Sequence, residues 1–222
     1  MLATWWAGDP LPQLPRLDGL EVGSTDSPAV FADFDIPVTE AARRMAEGHR
    51  AYVAWFRGQP AAYGWVATLA ADIGEIGVAF AIPANERYLW DFKTRPEFRG
   101  LGIYPRLLNS IIRSEAATAE RLWILAAPEN TASNKGIAKA GFRGTGTVSF
   151  TIDGKPALGT KEGAGRALAA AAFLGVAASA KPARPCWACE AGLGCGCTRA
   201  GGPCTCRAEA ESRPLVANGA AR

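Results

Sequence analysis

The sequence holds a single histidine, His49, and no cysteine before Cys186. With no histidine to spare there is no zinc-finger pattern, and without cysteines the first part of the chain has no disulfide framework. No run of five or more basic residues occurs, and the formal charge is only +3, so nothing points to nucleic acid as a partner. The opening residues MLATWWAGDPLPQLP carry neither a positive start nor an apolar stretch of signal-peptide length, which predicts a cytoplasmic protein. The longest weakly polar run, Ala167 to Ala180, is too short and too rich in alanine to cross a membrane, so no membrane partner is expected. Two common nucleotide loops are also missing. There is no Gly-x-x-x-x-Gly-Lys-Ser/Thr, and no third glycine completes a Gly-x-Gly-x-x-Gly.

What is present is a short glycine turn, RPEFRGLGIYPRLL, between an aromatic strand pattern and an amphipathic helix. Gly100 and Gly102 have no Cβ, so the backbone can bend sharply and bring consecutive N–H groups to one anion. The following helix adds the positive end of its dipole. The phosphate ligand implied is one that the two missing loops do not hold.

The segment Arg99, Gly100, Leu101, Gly102, Ile103, Tyr104 resembles the coenzyme A pyrophosphate loop of the GCN5-related N-acetyltransferase family, Arg/Gln-x-x-Gly-x-Gly/Ala. It agrees at Arg99 and Gly102 and departs at Tyr104, where the family usually has a small residue. A second segment, ENTASNKGIAKAGF, follows the apolar run RLWILAAP and resembles the family's strand, Asn-rich turn, short helix and closing Gly-Phe. On this resemblance Asn130, Ser133 and Asn134 touch the cofactor; by residue type alone, Asn130 or Thr131 caps the helix that ends before Gly141.

With 49% hydrophobic and 9% aromatic residues in 222, one core and an extra segment are expected. The organisation read from the sequence is an irregular leader over 1–37 with room for one short strand near Leu20 to Val22, and an acyltransferase-like domain over 38–153. An Ala/Gly/Pro-rich linker with a helix follows over 154–185, then a Cys-rich segment over 186–206 and a disordered tail over 207–222. Within the domain, a helix runs from Thr39 as N-cap to Glu47 with Ala42 and Met45 inward, then a hairpin turns at Gly58 to Pro60. Strands follow from Ile76 and Arg87, and a helix from Ile103 to Ala117 turns Leu107, Leu108, Ile111 and Ile112 to one face. The strand Leu122 to Ala126 and the run Thr145 to Ile152 complete an α/β (α+β) fold. The resemblance implies a mixed, mostly antiparallel central sheet flanked by helices, plus an irregular Cys-rich tail.

All six cysteines, Cys186, Cys189, Cys195, Cys197, Cys204 and Cys206, fall in CWACEAGLGCGCTRAGGPCTC. One Cys-x-x-Cys and two Cys-x-Cys pairs suit soft metal ions, with Zn²⁺, Cu(I), a two-metal thiolate cluster and an iron–sulfur cluster all open. A reducing compartment speaks against disulfides there. The Cys-x-Cys density resembles metallothionein-like sequences.

The resemblance implies transfer of an acetyl group from acetyl-CoA directly to an amine. Backbone groups of Phe92, Lys93 and Thr94 meet the pantetheine arm, and residues 99 to 104 meet the pyrophosphate. The tyrosine that usually protonates the coenzyme thiolate is absent, and Ile137 stands at its place, so Tyr104, Tyr88 or water is the substitute acid. Asp91, in the aromatic strand Tyr88 to Phe92, is the first candidate base, on the expectation that burial raises its pKa; Glu75 and Glu86 follow. The bland alternative makes Asp91 a structural hydrogen-bonding residue and His49 a surface or interhelical one. Two rival functions stay open, a silent acyl-CoA-binding sensor and a metal-storage or sensing protein on an acyltransferase scaffold. The acceptor amine and a homodimer are left open.

Overall fold

In the computed structural model, residues 1–151, 155–159 and 165–179 are described. The Cys-rich segment with its six cysteines and the tail 207–222 lie outside the described residues. A mixed sheet organises the rest. Its strands are β1 (Leu2–Trp6), β2 (Leu20–Thr25), β3 (Arg50–Phe56), β4 (Gln59–Ala67), β7 (Glu86–Thr94), β8 (Arg121–Leu125), β9 (Arg143–Phe150), β10 (Pro156–Gly159) and β11 (Ala177–Ser179). The spatial order is β11-β10-β9-β1-β8-β7-β4-β3-β2, and all neighbours are antiparallel except β7 with β8 and β10 with β11. A separate hairpin pairs β5 (Ala70–Ile73) with β6 (Val78–Ala81). The fold class is therefore the one expected, a mostly antiparallel sheet flanked by helices.

Side-chain alternation splits the strands between two faces. Ala3, Trp5, Leu89, Leu122 and Ile124 join the core under α2 (Ile103–Glu115) and α3 (Thr131–Ala140). In α2 the four residues Leu107, Leu108, Ile111 and Ile112 are all fully buried, as their spacing predicts, and each stabilises the fold by roughly 1.5 to 3 kcal/mol. On the other face Leu2, Tyr88, Trp123 and Leu158 pack beneath α4 (Arg166–Leu174), with Trp123 and Phe173 stacked at 4.8 Å. Beside them Phe31, Phe34, Tyr63 and Trp65 pack with α1 (Val38–Ala46) and the 3-10 turn Pro28–Phe34.

Several expectations need correction. The leader over 1–37 is not irregular: MLATWW enters the middle of the sheet, because Leu2 and Ala3 are buried completely between β8 and β9. The run from Thr145 does not close the sheet, since β10 and β11 extend it beyond β9 into the stretch read as linker, and the helix expected there is α4. Helix α1 starts at Val38 after Pro37, not at a Thr39 cap, and turns Ala41 inward while Ala42 is exposed. Ile76 belongs to the 3-10 turn Gly74–Ile76, and the strand after it, β6, pairs with β5 and with no other strand among the described residues. Among the described residues no helix is long and apolar enough to cross a membrane, and no group of three His, Cys, Asp or Glu residues could hold a metal.

Candidate active site

β7 is the strand that makes the site. Its first half pairs in parallel with β8, from Glu86 opposite Arg121 to Leu89 opposite Ile124, and there the pairing ends. β8 leaves toward Ala126 and Pro128, while β7 continues beside β4. The two strands part into a cleft of about 720 Å³, lined on the β7 side by Tyr88, Trp90, Asp91 and Phe92 and on the other by Leu125, Ala126, Tyr104 and Ser133. This is the splay that the resemblance implied, and it falls within the size range of small-molecule sites.

A bulge at the point of parting re-aims β7. Trp65 of β4 pairs with Trp90 and Tyr63 with Lys93, so Asp91 and Phe92 together face the single residue Gly64. Asp91 adopts φ 46°, a left-handed conformation that side-chain-bearing residues seldom hold. The Phe92 ring lies over Gly64, where a Cβ would stand 1.9 Å from Phe92 Cε1. The absence of a side chain at position 64 thus lets the ring turn toward α2, where it meets Tyr104 edge-on at 5.6 Å.

Asp91 differs from its expected state. It is not an apolar-buried carboxylate but accepts from Tyr63 Oη at 2.9 Å and from Arg44 Nη1 of α1 at 2.5 Å, with a third of its side chain exposed. Arg44 in turn lies over the Trp90 ring at 4.7 Å. The partner groups come from α1 and β4, elements remote in sequence. Burial first, then the Asp91 carboxylate, push the Tyr63 phenol well above its ordinary range. Lys93 donates to Phe34 O at 2.9 Å and to Asp35, and Thr94 O accepts from Arg99 Nε at 3.2 Å. Of the other candidate bases, Glu75 lines the cleft, whereas Glu86 is buried at the opposite end of β7 with Arg121 and the Trp123 indole. His49 is half-buried and accepts from Trp90 Nε1 at 3.3 Å.

The glycine turn leads into α2. Gly100 and Gly102 have φ 80° and 72°, and Gly102 is the N-cap residue of the helix. Among the described residues, no group accepts from the N–H groups of Gly100, Leu101, Gly102, Ile103 or Tyr104. Five adjacent donors and the positive end of a helix are therefore left for a ligand, which fits a pyrophosphate. Arg106 braces the turn, donating from Nη1 to Gly102 O at 2.7 Å and from Nη2 to Pro15 O at 2.8 Å.

The second motif serves the neighbouring helix. Asn130 Oδ1 accepts from Ser133 N at 3.0 Å, and Asn134 Nδ2 donates to Ala127 O at 3.0 Å while its Oδ1 is buried without a partner. Asn130 is thus a helix cap that also lines the cleft. Tyr104 Oη meets Ser133 Oγ at 3.1 Å, and its ring fills the space beside Gly136, where a Cβ would come within 2.5 Å of Cδ1. Burial pushes the Tyr104 phenol up to about 12, against a smaller opposing effect of the Ser133 hydrogen bond. Tyr104 therefore has its N–H at the glycine turn and its hydroxyl in the cleft. Ile137 is fully buried in the core. Sequence reasoning missed Arg44, Tyr63 and Gly64. Only Gly64 carried a signal, a glycine inside the apolar run AAYGWVAT that marks a bulge or a close approach.

No family model and no curated protein matches the chain. Solved structures are similar to it at low identity. A putative acetyltransferase of the GNAT family from Novosphingobium aromaticivorans is 23% identical over 64% of this chain and 58% of its own, with a TM-score of 0.43. A GNAT-family acetyltransferase from Colwellia psychrerythraea is 18% identical over 64% of this chain and 51% of its own, with a TM-score of 0.46. The ribosomal-protein-S18-alanine N-acetyltransferase from Escherichia coli is 16% identical over 62% and 88%, with a TM-score of 0.46. The chain spans little more than half the length of the first two.

Proposed function

We propose that the protein is an acetyl-CoA-dependent N-acetyltransferase acting on an amine. The observation that carries this reading is a single cleft in which the free edge of β7 and the uncapped start of α2 meet at Tyr104. The N–H groups of residues 100 to 104 bind the pyrophosphate, that of Arg99 being taken by Pro96 O at 3.2 Å, and the β7 edge past Leu89, at Phe92 to Thr94, takes the pantetheine arm. The amine nitrogen attacks the thioester carbonyl carbon, the C–N bond forms and the C–S bond breaks, and the thiolate leaves. The ammonium proton passes to the Asp91 carboxylate or to water. A phenol at about 12 is a weaker acid than a thiol of about 8.5, so Tyr104 steadies the departing thiolate with a hydrogen bond, and solvent completes its protonation.

The buried Ile137 in place of an acid favours a second reading, a silent acetyl-CoA sensor. Calorimetric titration with acetyl-CoA tests what both share, and release of free coenzyme thiol with a panel of amines separates them. Micromolar binding with thiol release supports the enzyme; binding without release supports the sensor; no binding refutes both. From their spacing alone, the six cysteines are assigned to a soft metal such as Zn²⁺, which elemental analysis of the purified chain checks.

A further inference from the structure

Trp90 is held at both its edge and its face. Its indole Nε1 donates to His49 Nδ1 at 3.3 Å, and the two rings meet edge-on at 5.1 Å. The Arg44 guanidinium lies over the same indole at 4.7 Å and over Trp65 at 5.3 Å, and its Nη1 donates to Asp91. His49 is tied to the helix that carries Arg44, because His49 N donates to Arg44 O at 3.0 Å where α1 ends. His49, Trp90, Arg44 and Asp91 thus form one line of contacts. Trp90, Arg44 and Asp91 line the cleft, whereas His49 lines a second cavity of about 630 Å³ with Arg50, Thr68 and Glu115, whose lining residues Asp26 and Arg50 are exposed.

An indole N–H donates and cannot accept, so this bond needs the lone pair on Nδ1, and the proton of the neutral imidazole is then on Nε2. A second proton, on Nδ1, sets donor against donor and ends the bond. The charged groups around the ring are Arg43, Arg44 and Glu47 from α1 and Asp72 from β5, with Asp26, Arg50 and Glu115 along the second cavity. Glu115 is already taken by Arg50, Arg87 and Tyr52, and Glu47 by Arg43. We propose that His49 is a positioning residue of the cleft: neutral, it holds Trp90 and through it the Arg44–Asp91 pair, and protonated through the second cavity it releases them. Burial, only partly offset by Glu47, keeps the imidazole below its ordinary 6.5. The hold is therefore present above about pH 6.5 and lost as pH falls through that lowered value. Its bearing on catalysis rests on the acetyltransferase reading, in which Asp91 receives a proton, while the contact itself stands apart from it.

The test is an NMR titration of the full chain from about pH 5 to about pH 8, with acetyl-CoA affinity measured on the same samples. One histidine gives one imidazole signal, and the Trp90 indole proton is identified among seven by its loss in Trp90→Phe. The Arg44 Nε proton is identified in the same way with Arg44→Lys. On acidification the Trp90 proton should move upfield as it loses its acceptor, and the Arg44 proton should follow, both with the midpoint of the imidazole, below 6.5. Trp90→Phe keeps a ring and removes the donor, and should raise the imidazole midpoint by about 0.4 to 1 pH unit. His49→Leu should leave the Trp90 proton upfield at every pH, whereas His49→Asn, whose oxygen accepts and does not titrate, should restore it and flatten its pH dependence. A Trp90 or Arg44 proton that does not follow the imidazole, or a midpoint unchanged in Trp90→Phe, overturns the proposal. If acetyl-CoA binds and the three signals are uncoupled, the positioning role alone fails. If they are coupled and acetyl-CoA does not bind, the acetyltransferase reading fails and the pH-sensitive joint stands.

Discussion

Helices α2 and α3 start side by side at the cleft, joined through Tyr104 and Ser133, and their first turns are opposite in kind. α3 has a side-chain cap, Asn130, and the N–H groups of Thr131, Ser133 and Asn134 all have acceptors within the protein. α2 begins at a glycine with no capping side chain, its first N–H groups have no acceptor among the described residues, and its third residue, Pro105, has none to offer. Both ends carry the same dipole. The difference shows that a helix start becomes an anion site when its donors are left for a ligand, and a structural joint when the chain itself takes them.

The largest expected effect tests the uncapped end. Gly102→Glu places a carboxylate among the loop donors and should weaken acetyl-CoA at least about 100-fold, or about 2.8 kcal/mol, in a titration. The strain of φ 72° should cost the fold only about 1 to 2 kcal/mol, read by urea unfolding, with Gly102→Ala reporting that strain without the charge. Retained affinity in the Glu variant removes the phosphate-loop reading.

Gly64→Ala comes next, because the added carbon falls inside the Phe92 ring position. Moving that ring should destabilise the domain by about 2 to 3 kcal/mol in denaturant unfolding. A neutral result means the bulge is held by something other than this contact. Asn130→Ala sharpens the contrast from the capped side: a loss of about 1 kcal/mol in stability with little change in acetyl-CoA affinity is expected of a cap. A drop in affinity instead makes α3 part of the binding site.

The smallest effect concerns pH. Tyr52 and Tyr104 are both pushed up to about 12, chiefly by burial, from an ordinary value near 10. Raised phenols favour the protonated folded state, so their contribution to stability is complete below pH 10 and lost as pH rises from about 10 to 12. Unfolding free energy should be insensitive to these groups from pH 7 to 9, and Tyr104→Phe should flatten part of the alkaline decline. An unchanged alkaline slope in that variant contradicts the buried environment given to Tyr104.

The elements legible in the sequence were those defined by local pattern. The apolar stripe of α2, the glycines at 100 and 102, and Gly141 closing α3 at φ 111° all express short-range physics. β1 was not legible, because MLATWW has no flanking turn signal before it and its burial depends on pairing with β8 and β9. Asp91 was legible as a residue of the right strand but not as a bulge residue. Its partners Arg44 and Tyr63 come from elements that only the tertiary fold brings near. The β7–β8 splay followed from the resemblance, since nothing in the composition of either strand says where pairing stops.

β1 also joins the two halves of the sheet. Thr4 Oγ1 donates to Leu122 O and Thr145 Oγ1 to Leu2 O, contacts across 118 and 143 residues of chain. Without β1, the strands β2, β3, β4, β7 and β8 on one side and β9 to β11 on the other share no strand pairing among the described residues. Contacts of such sequence separation carry a loop-closure cost that local hairpins do not, so this pairing is expected to form after β3 has met β4. A charge placed in β1 would therefore part the sheet at its middle and not merely fray one edge of it.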